Sequence, residues 1–424
     1  MPLFTVNFKT SVERNTMDNQ IYNFLTLLAK TIHKDYSSEV KNPVDWNRIF
    51  TYAQMHKVMA LIFESAAKDE AFVAEPLYAY CKQVTKATVI SQSRRTDEFL
   101  TLYRAFAEQG IEPVVVKGIV CRQLYGDYCD HRPSGDEDIL IQKKDFKTVC
   151  RVFKERGYIA RKNTNLNEKQ LDEMKDISFD NPTNGGHVEV HLNLIGHANE
   201  TRSKMNAFFD SAFENMIEIE VLGTKIKTLS HTEHFLYLVL HAFGHFIGGG
   251  VGIRQLLDIL LYAKAYFELL DWRYIWQCIE SVRADLFLED LIFIGNQYMG
   301  FSLPQQGNPH CPEELLEDLI SSGAFGKGTQ ENWIAGMVTD VAGRKAEGKM
   351  RAFKEVMRMI FLSRDNMQIR YPELREKPWL LPIAWVKRWI AFIKKSFRKD
   401  KNSAAEGIQI GKKRVELLKK YKVL

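Results

Sequence analysis

The sequence predicts an α+β protein, with a small mixed-sheet core carried between N-terminal and C-terminal helical regions. Three observations predict it. Apolar residues recur at helical spacing through about the first 110 residues. The texture then changes to short β-branched runs separated by glycine turns, up to Leu229. Helical periodicity returns after that and runs to about Arg364. These changes divide the chain into an N-terminal helical region (1–90), a core (91–229), a C-terminal helical domain (230–375) and a basic aromatic tail (376–424).

In MDNQIYNFLTLLAKTIHK, residues Ile21, Phe24, Leu25, Leu28 and Ile32 share a helical face behind Asp18, a candidate cap. DWNRIFTYAQMHKVMALIFESAAK predicts one further helix capped by Asp45, and a third helix spans about Pro76 to Gln109, stopping at Gly110. IEPVVVKG then reads as a short strand closed by Lys117-Gly118, and IVCRQLYGDY as a short helix. DEDILIQ is a second strand, and KKDFKTVCRVFKERG is helical. DISFDN and HVEVHLNL flank Asn184-Gly185-Gly186, a hairpin signal. HTEHFLYLVLHAFGHFI and IRQLLDILLYAKAYFE predict helices joined by a turn at Gly248–Gly250, where phosphate binding is the alternative use of the glycines.

Composition bounds the function. At 424 residues, 45% apolar and 26% charged, the chain has ordinary globular proportions. Its six cysteines form no C-x-x-C pair, which argues against a zinc ribbon or a disulfide framework. MPLFTVNFKTSVERN lacks a basic segment followed by an apolar one, so no signal peptide is expected. No uninterrupted apolar run reaches about 18 residues, so no spanning helix is expected either. Together these predict a cytoplasmic protein. From Lys377 to Leu424 there are fourteen Lys/Arg against three Asp/Glu, while the rest of the chain is mildly acidic. Any contact with an anionic membrane surface or nucleic acid therefore belongs to this tail; the alternative is a C-terminal helix packed on the body. The sequence implies no obligate protein partner.

The stretch RPSGDEDILI carries the chemistry. On a strand, Asp136 and Asp138 point to one face and Glu137 to the other. In HVEVHLNL, His187, Glu189, His191 and Asn193 alternate with Val188, Val190, Leu192 and Leu194. If the two strands are neighbours, Asp136, Asp138 and Glu189 form an oxygen-lined site suited to Mg²⁺, with Mn²⁺ as a substitute. Lys117 and Gly118 sit where a strand meets a helix, a place that favours phosphate. Arg132, with Ser134 in the adjacent turn, could grip phosphate oxygens; a fold-internal salt bridge is the alternative for Lys117 and Arg132.

His231, His234, His241 and His245 fall on one helical face. Lining a nucleotide or acceptor pocket, pairing as metal ligands and purely structural bonding are the open readings. A zinc hydrolase would need H-E-x-x-H, and the sequence has H-A-F-G-H. Arg254 and Asp258, at i and i+4, either pair with each other or face the pocket.

The ordered set Lys-Gly, Arg-x-x-x-Asp-x-Asp and Glu-x-His resembles the DNA polymerase β-like nucleotidyltransferase superfamily. Within it, the chain is similar to the bacterial branch of uncharacterised nucleotidyltransferase proteins, where Lys-Gly replaces the superfamily's Gly-Ser. DWNRIFTYAQMHKV, HAFGHF with RQLLD, SGAFG and RYPELREKPWLLPIAWVKRW extend the resemblance over most of the chain. The 17 residues between Gly118 and Asp136 are a longer spacing than the superfamily's.

The resemblance implies transfer of a nucleoside monophosphate from an NTP to an acceptor, with release of pyrophosphate. Asp136 and Asp138 would hold metal and triphosphate, and Glu189 would complete a second metal site. Lys117, Gly118, Arg132, Ser134, His191, His241, His245 and Arg254 would surround the nucleotide. The motifs do not select the acceptor, which could be a small molecule, a protein or an RNA end. The rivals are a non-catalytic nucleotide-binding protein of the same fold and a membrane-surface interaction protein driven by the tail.

Overall fold

A computed structural model describes residues 17–197, 200–323, 361, 364, 367, 371–398 and 403–424. The MPLFTVNFKTSVERN segment, most of SGAFG and residues 324–360 of the predicted C-terminal helical region lie outside these residues. Of the helices, α1 (Asn19–His33), α2 (Trp46–Met55), α3 (Met59–Ala66), α4 (Glu70–Val73) and α5 (Leu77–Ala107) come first. Asp18 and Asp45 cap α1 and α2 as expected, Asp18 accepting from the Gln20 and Ile21 N–H groups and Asp45 from that of Arg48. The single helix predicted over 45–68 is two helices. The break is at Lys57, whose φ is 58°, beside His56, which is fully buried.

The sheet region follows in the order β1 (Val114–Val116), α6 (Gly118–Gln123), β2 (Glu137–Leu140), α7 (Phe146–Glu155), β3 (Ile159–Ala160), α8 (Glu168–Glu173), β4 (Asp176–Asp180), β5 (His187–His191), α9 (Glu200–Ala207), β6 (Ile217–Val221) and β7 (Thr224–Thr228). These strands make one seven-stranded mixed sheet, ordered β3-β4-β5-β2-β1-β7-β6. β2 is antiparallel to β1 and parallel to β5, so the two acid-bearing strands are neighbours, as the carboxylate argument required. The β6–β7 hairpin and the two-residue β3 were not read from the sequence. In IEIEVLGTKIKT the alternation is clear, but its apolar positions are few and its other face is charged.

The two faces of the sheet enter different cores. Val115, Ile139, Val188 and Val190 pack with Phe99, Phe106 and Phe153 of α5 and α7. Val114, Val116 and Leu140 face the other way, into a cluster that joins the N-terminal helices to the helices after the sheet. Leu194, expected on the Val188 face, joins this second cluster because β5 ends at His191 and the alternation ends with it.

The helices after the sheet are α10 (His231–Gly248), α11 (Ile253–Tyr266), α12 (Trp272–Glu280), α13 (Asp285–Tyr298) and α14 (Pro312–Ser322). Ser230 caps α10, and Glu233 three residues on is the Ser-x-x-Glu partner. Gly248–Gly250 is the turn into α11, as expected.

The tail forms α15 (Leu381–Arg398) and α16 (Ser403–Lys420). α16 packs on the body. Leu417, Leu418 and Tyr421 are buried in the large cluster, and the Arg414 guanidinium bonds the Asp318 carboxylate and the Phe246 carbonyl. The packed-helix reading therefore describes this half of the tail.

Candidate metal and nucleotide site

In the β2–β5 register Asp138 lies directly opposite Glu189. His191, two residues along β5, donates from Nε2 to Asp138 Oδ1 at 2.8 Å and lies 3.9 Å from Glu189 Oε2. One ligand atom from each of Asp138, Glu189 and His191 falls within 4.8 Å of the others, so the three could hold a metal ion. Asp138 and His191 are buried and Glu189 is half-buried, so the carboxylate of Glu189 is the one that solvent and substrate can reach. Asp136 sits directly before β2. It lies outside this close group but near enough to feel it: burial and the Asp138 charge push its carboxyl up. The ligand set read from the sequence was Asp136, Asp138 and Glu189. The close group instead contains His191, which the resemblance had placed among the nucleotide contacts.

Burial opposes the charge of Asp138, yet Lys117 and His191 hold its carboxyl well below the usual range. Lys117 Nζ stands 3.1 Å from Asp138 Oδ2 and 3.5 Å from His241 Nε2. Burial alone would lower this ammonium; Asp138 reverses that and raises it. His187 holds the Glu189 carboxyl down, and is itself fixed by Asp180, which Arg161 grips with two bonds. Lys117 thus faces Asp138 and Asp136 while His187 faces Glu189, and a gathering of carboxylates of this kind suits a divalent cation.

Lys117 is held in a rare backbone conformation, with φ 52° and ψ −126°. Its N–H donates to His234 Nε2 at 3.1 Å. The other ring nitrogen of His234 meets Thr228 Oγ1 at 3.1 Å, and that hydroxyl donates to the Val115 carbonyl at 2.7 Å. The chain requires a neutral ring with its proton on Nδ1. Burial agrees, pushing His234 down to about 3. Strain of this kind persists where the surroundings fix it, and it clusters at functional sites.

The residues expected to cradle phosphate have internal partners. Glu137 points to the opposite face from Asp138. Its carboxylate accepts from the Ile119 N–H at 2.7 Å and pairs with the buried Arg122 at 2.5 Å. A Cβ on Gly118 would strike that carboxylate, and φ at Gly118 is +29°. The glycine is therefore needed for an anion to approach the start of α6, and the anion is the protein's own.

Arg132 grips Asp258 through Nε at 2.7 Å and a terminal nitrogen at 2.5 Å, while its other terminal nitrogen donates to Ser134 Oγ at 2.7 Å. This is the salt-bridge alternative. Arg254 does not pair with Asp258 but donates to the Pro133 carbonyl at 2.5 Å, steadying the same turn. The long Gly118–Asp136 interval holds α6 and a 3-10 stretch, Gly126–His131, and ends on this clamped turn.

The histidine stripe divides. His241 and His245 approach each other, Nε2 to Nε2, at 3.0 Å beside Lys117. Burial, then Lys117, holds His241 well below its ordinary value. His231 stacks on Tyr266 at 4.0 Å, away from the carboxylates. The fourth member on the site side is Tyr237, fully buried, with Lys117 Nζ 5.7 Å from its ring centroid. It lies at i+3 from His234 and i−4 from His241, so the same periodicity could have found it. His187 was visible only as a strand neighbour, and the Thr228–His234 link crosses two elements that no local pattern connects.

The sheet carries opposed carboxylates on two adjacent parallel strands, beside the strand–helix turn at Lys117. The model of the family described as uncharacterised nucleotidyltransferase matches residues 42–300, and the chain belongs to that family. No curated protein and no solved structure matches the chain.

Proposed function

We propose that the protein transfers a nucleoside monophosphate from an NTP to an acceptor. The observation that carries this reading is the Asp138–Glu189–His191 group on the sheet face covered by α10. Two carboxylates and an imidazole suit a divalent cation of the Mg²⁺ or Mn²⁺ kind, the imidazole favouring Mn²⁺ more than an all-oxygen set would. When bound, the cation neutralises the triphosphate and stabilises charge on the transferring phosphoryl group.

The acceptor oxygen bonds to the α-phosphorus, the bond to the β-phosphate oxygen breaks, and pyrophosphate leaves. Glu189, the reachable carboxylate, meets the acceptor hydroxyl and takes its proton. Lys117 moves its ammonium from Asp138 to the incoming phosphates, with His241 and His245 beside it. Asp136 borders the group on the β2 side. Gly118, Arg132, Ser134 and Arg254 act one step back: they hold the α6 start and the Pro133 turn so that Asp136 and Asp138 enter the strand in place.

Thermal unfolding with each of the four NTPs, with and without Mg²⁺, tests the reading, because a ligand of the folded state raises the melting temperature. A rise that needs Mg²⁺ and is lost in Asp138→Asn is expected. So is label passing from an α-labelled NTP to a component of cell extract. Absence of both effects for all four NTPs would sink it.

A further inference from the structure

Apolar side chains gathered in water on one helix face mark an interaction surface. Trp379, Ile383, Val386 and Ile390 are 70%, 53%, 48% and 48% exposed. At about 100° per residue these positions fall within a band roughly 60° wide along α15 and the turn that leads into it. The opposite side of the helix is already in use. Ala384 is buried with Met367 and Leu374, and Trp385 and Trp389 meet Phe361 edge-on at 5.0 and 5.1 Å. The other large exposed apolar side chains, such as Val73, Ile159, Leu222 and Leu269, are scattered over separate elements.

Charge indicates what fits this face. From Lys377 to Lys401 there are eight Lys/Arg and one acid, Asp400. Lys387 is exposed on the flank of the stripe. A second copy meeting this face symmetrically would set basic segment against basic segment. An anionic lipid surface suits both features, taking Trp, Ile and Val into the acyl boundary and Lys and Arg among the headgroups. Among the described residues, no helix is long and apolar enough to cross a membrane, so the helix would lie in the interface.

We propose that this face of α15 docks the protein on an anionic lipid surface. The test is co-sedimentation of the full chain with vesicles of phosphatidylcholine alone, or of equal parts phosphatidylcholine and phosphatidylglycerol. Binding to the second and not the first is expected, weakening as salt rises. The double variant Ile383→Asp, Ile390→Asp should lower the bound fraction at least about tenfold, with an unchanged circular dichroism spectrum because both side chains already sit in water. Lys387→Glu should cost more than about fivefold, since it removes one charge and adds its opposite.

The proposal is overturned if the full chain stays in the supernatant with anionic vesicles, or if the double variant binds as well as the wild type. A lipid-free dimer abolished by that variant would give the face to a second copy. Loss of single-stranded RNA binding in the variant, with no vesicle binding in the wild type, would give it to nucleic acid.

Discussion

Glu137 and Asp138 are neighbours on one strand, both carboxylates and both buried, and they have opposite surroundings. Glu137 faces the side of α5 and α6 and is closed, with one oxygen on the Ile119 N–H and the other on Arg122. Asp138 faces α10 beside Glu189, with Lys117 on one oxygen and a histidine on the other. The strand's period of two places one acid in the scaffold and the next in the candidate site. A buried ion pair is therefore no sign of function in itself. What separates the two is how open the counter-charge is: the Arg122 side chain is 1% exposed and that of Lys117 17%.

The largest expected effect breaks the open side. Asp138→Asn should lower nucleotidyl transfer at least about a thousandfold, with Mn²⁺ binding lost and the far-ultraviolet spectrum kept. Retention of both Mn²⁺ binding and transfer would remove Asp138 from the site.

Breaking the closed side should act on stability instead. Glu137→Gln leaves the Arg122 charge buried without its partner, and a loss of about 3–5 kcal/mol in unfolding free energy is expected by denaturant titration. A loss under about 1 kcal/mol would show that Gln92, which Arg122 also contacts, can satisfy the guanidinium.

Lys117→Met sharpens the comparison. It removes the resident cation from Asp138, so Mn²⁺ measured without nucleotide should bind roughly tenfold tighter, while the nucleotide-dependent rise in melting temperature shrinks. Weaker Mn²⁺ binding would mean that the lysine orders the carboxylates rather than competing for them.

Per pH unit, the smallest effect is on acidification. His56 and His234 are neutral in the fold, burial holding them down to about 4 and about 3. Their unfolded value is 6.5, so between that pH and about 4 the unfolded chain binds protons that the folded chain refuses. Stability should fall on acidification below pH 6.5 by about 1 kcal/mol per pH unit for each histidine, and be unaffected by them above it. His56→Gln should flatten the slope; an unchanged slope would place the acid sensitivity elsewhere.

Much of the site was legible because its parts are local. Asp-x-Asp at a strand entry, Glu-x-His on a strand and Lys-Gly at a strand–helix turn each declare a face or a turn from spacing alone. The helix caps at Asp18 and Asp45 were legible for the same reason. Where the sequence left alternatives open, or joined two helices into one, the deciding contact spans the chain. Arg132 finds Asp258 across 126 positions, so Arg254, four residues from Asp258, does not. His56, at the break in the predicted single helix, is held by Ile320 and Ile253.

By itself the sequence determined the α+β class, the strand faces of Asp138 and Glu189, the order of the helical regions and the basic character of the tail. All of these follow from period, turn chemistry and charge, which act over a few residues. Only the tertiary structure decided which cation meets which acid, that the anion at the α6 start is Glu137, and that α16 is packed while one face of α15 is not. Those outcomes depend on which buried charges can be brought together and satisfied when distant segments pack, and no local pattern carries that information.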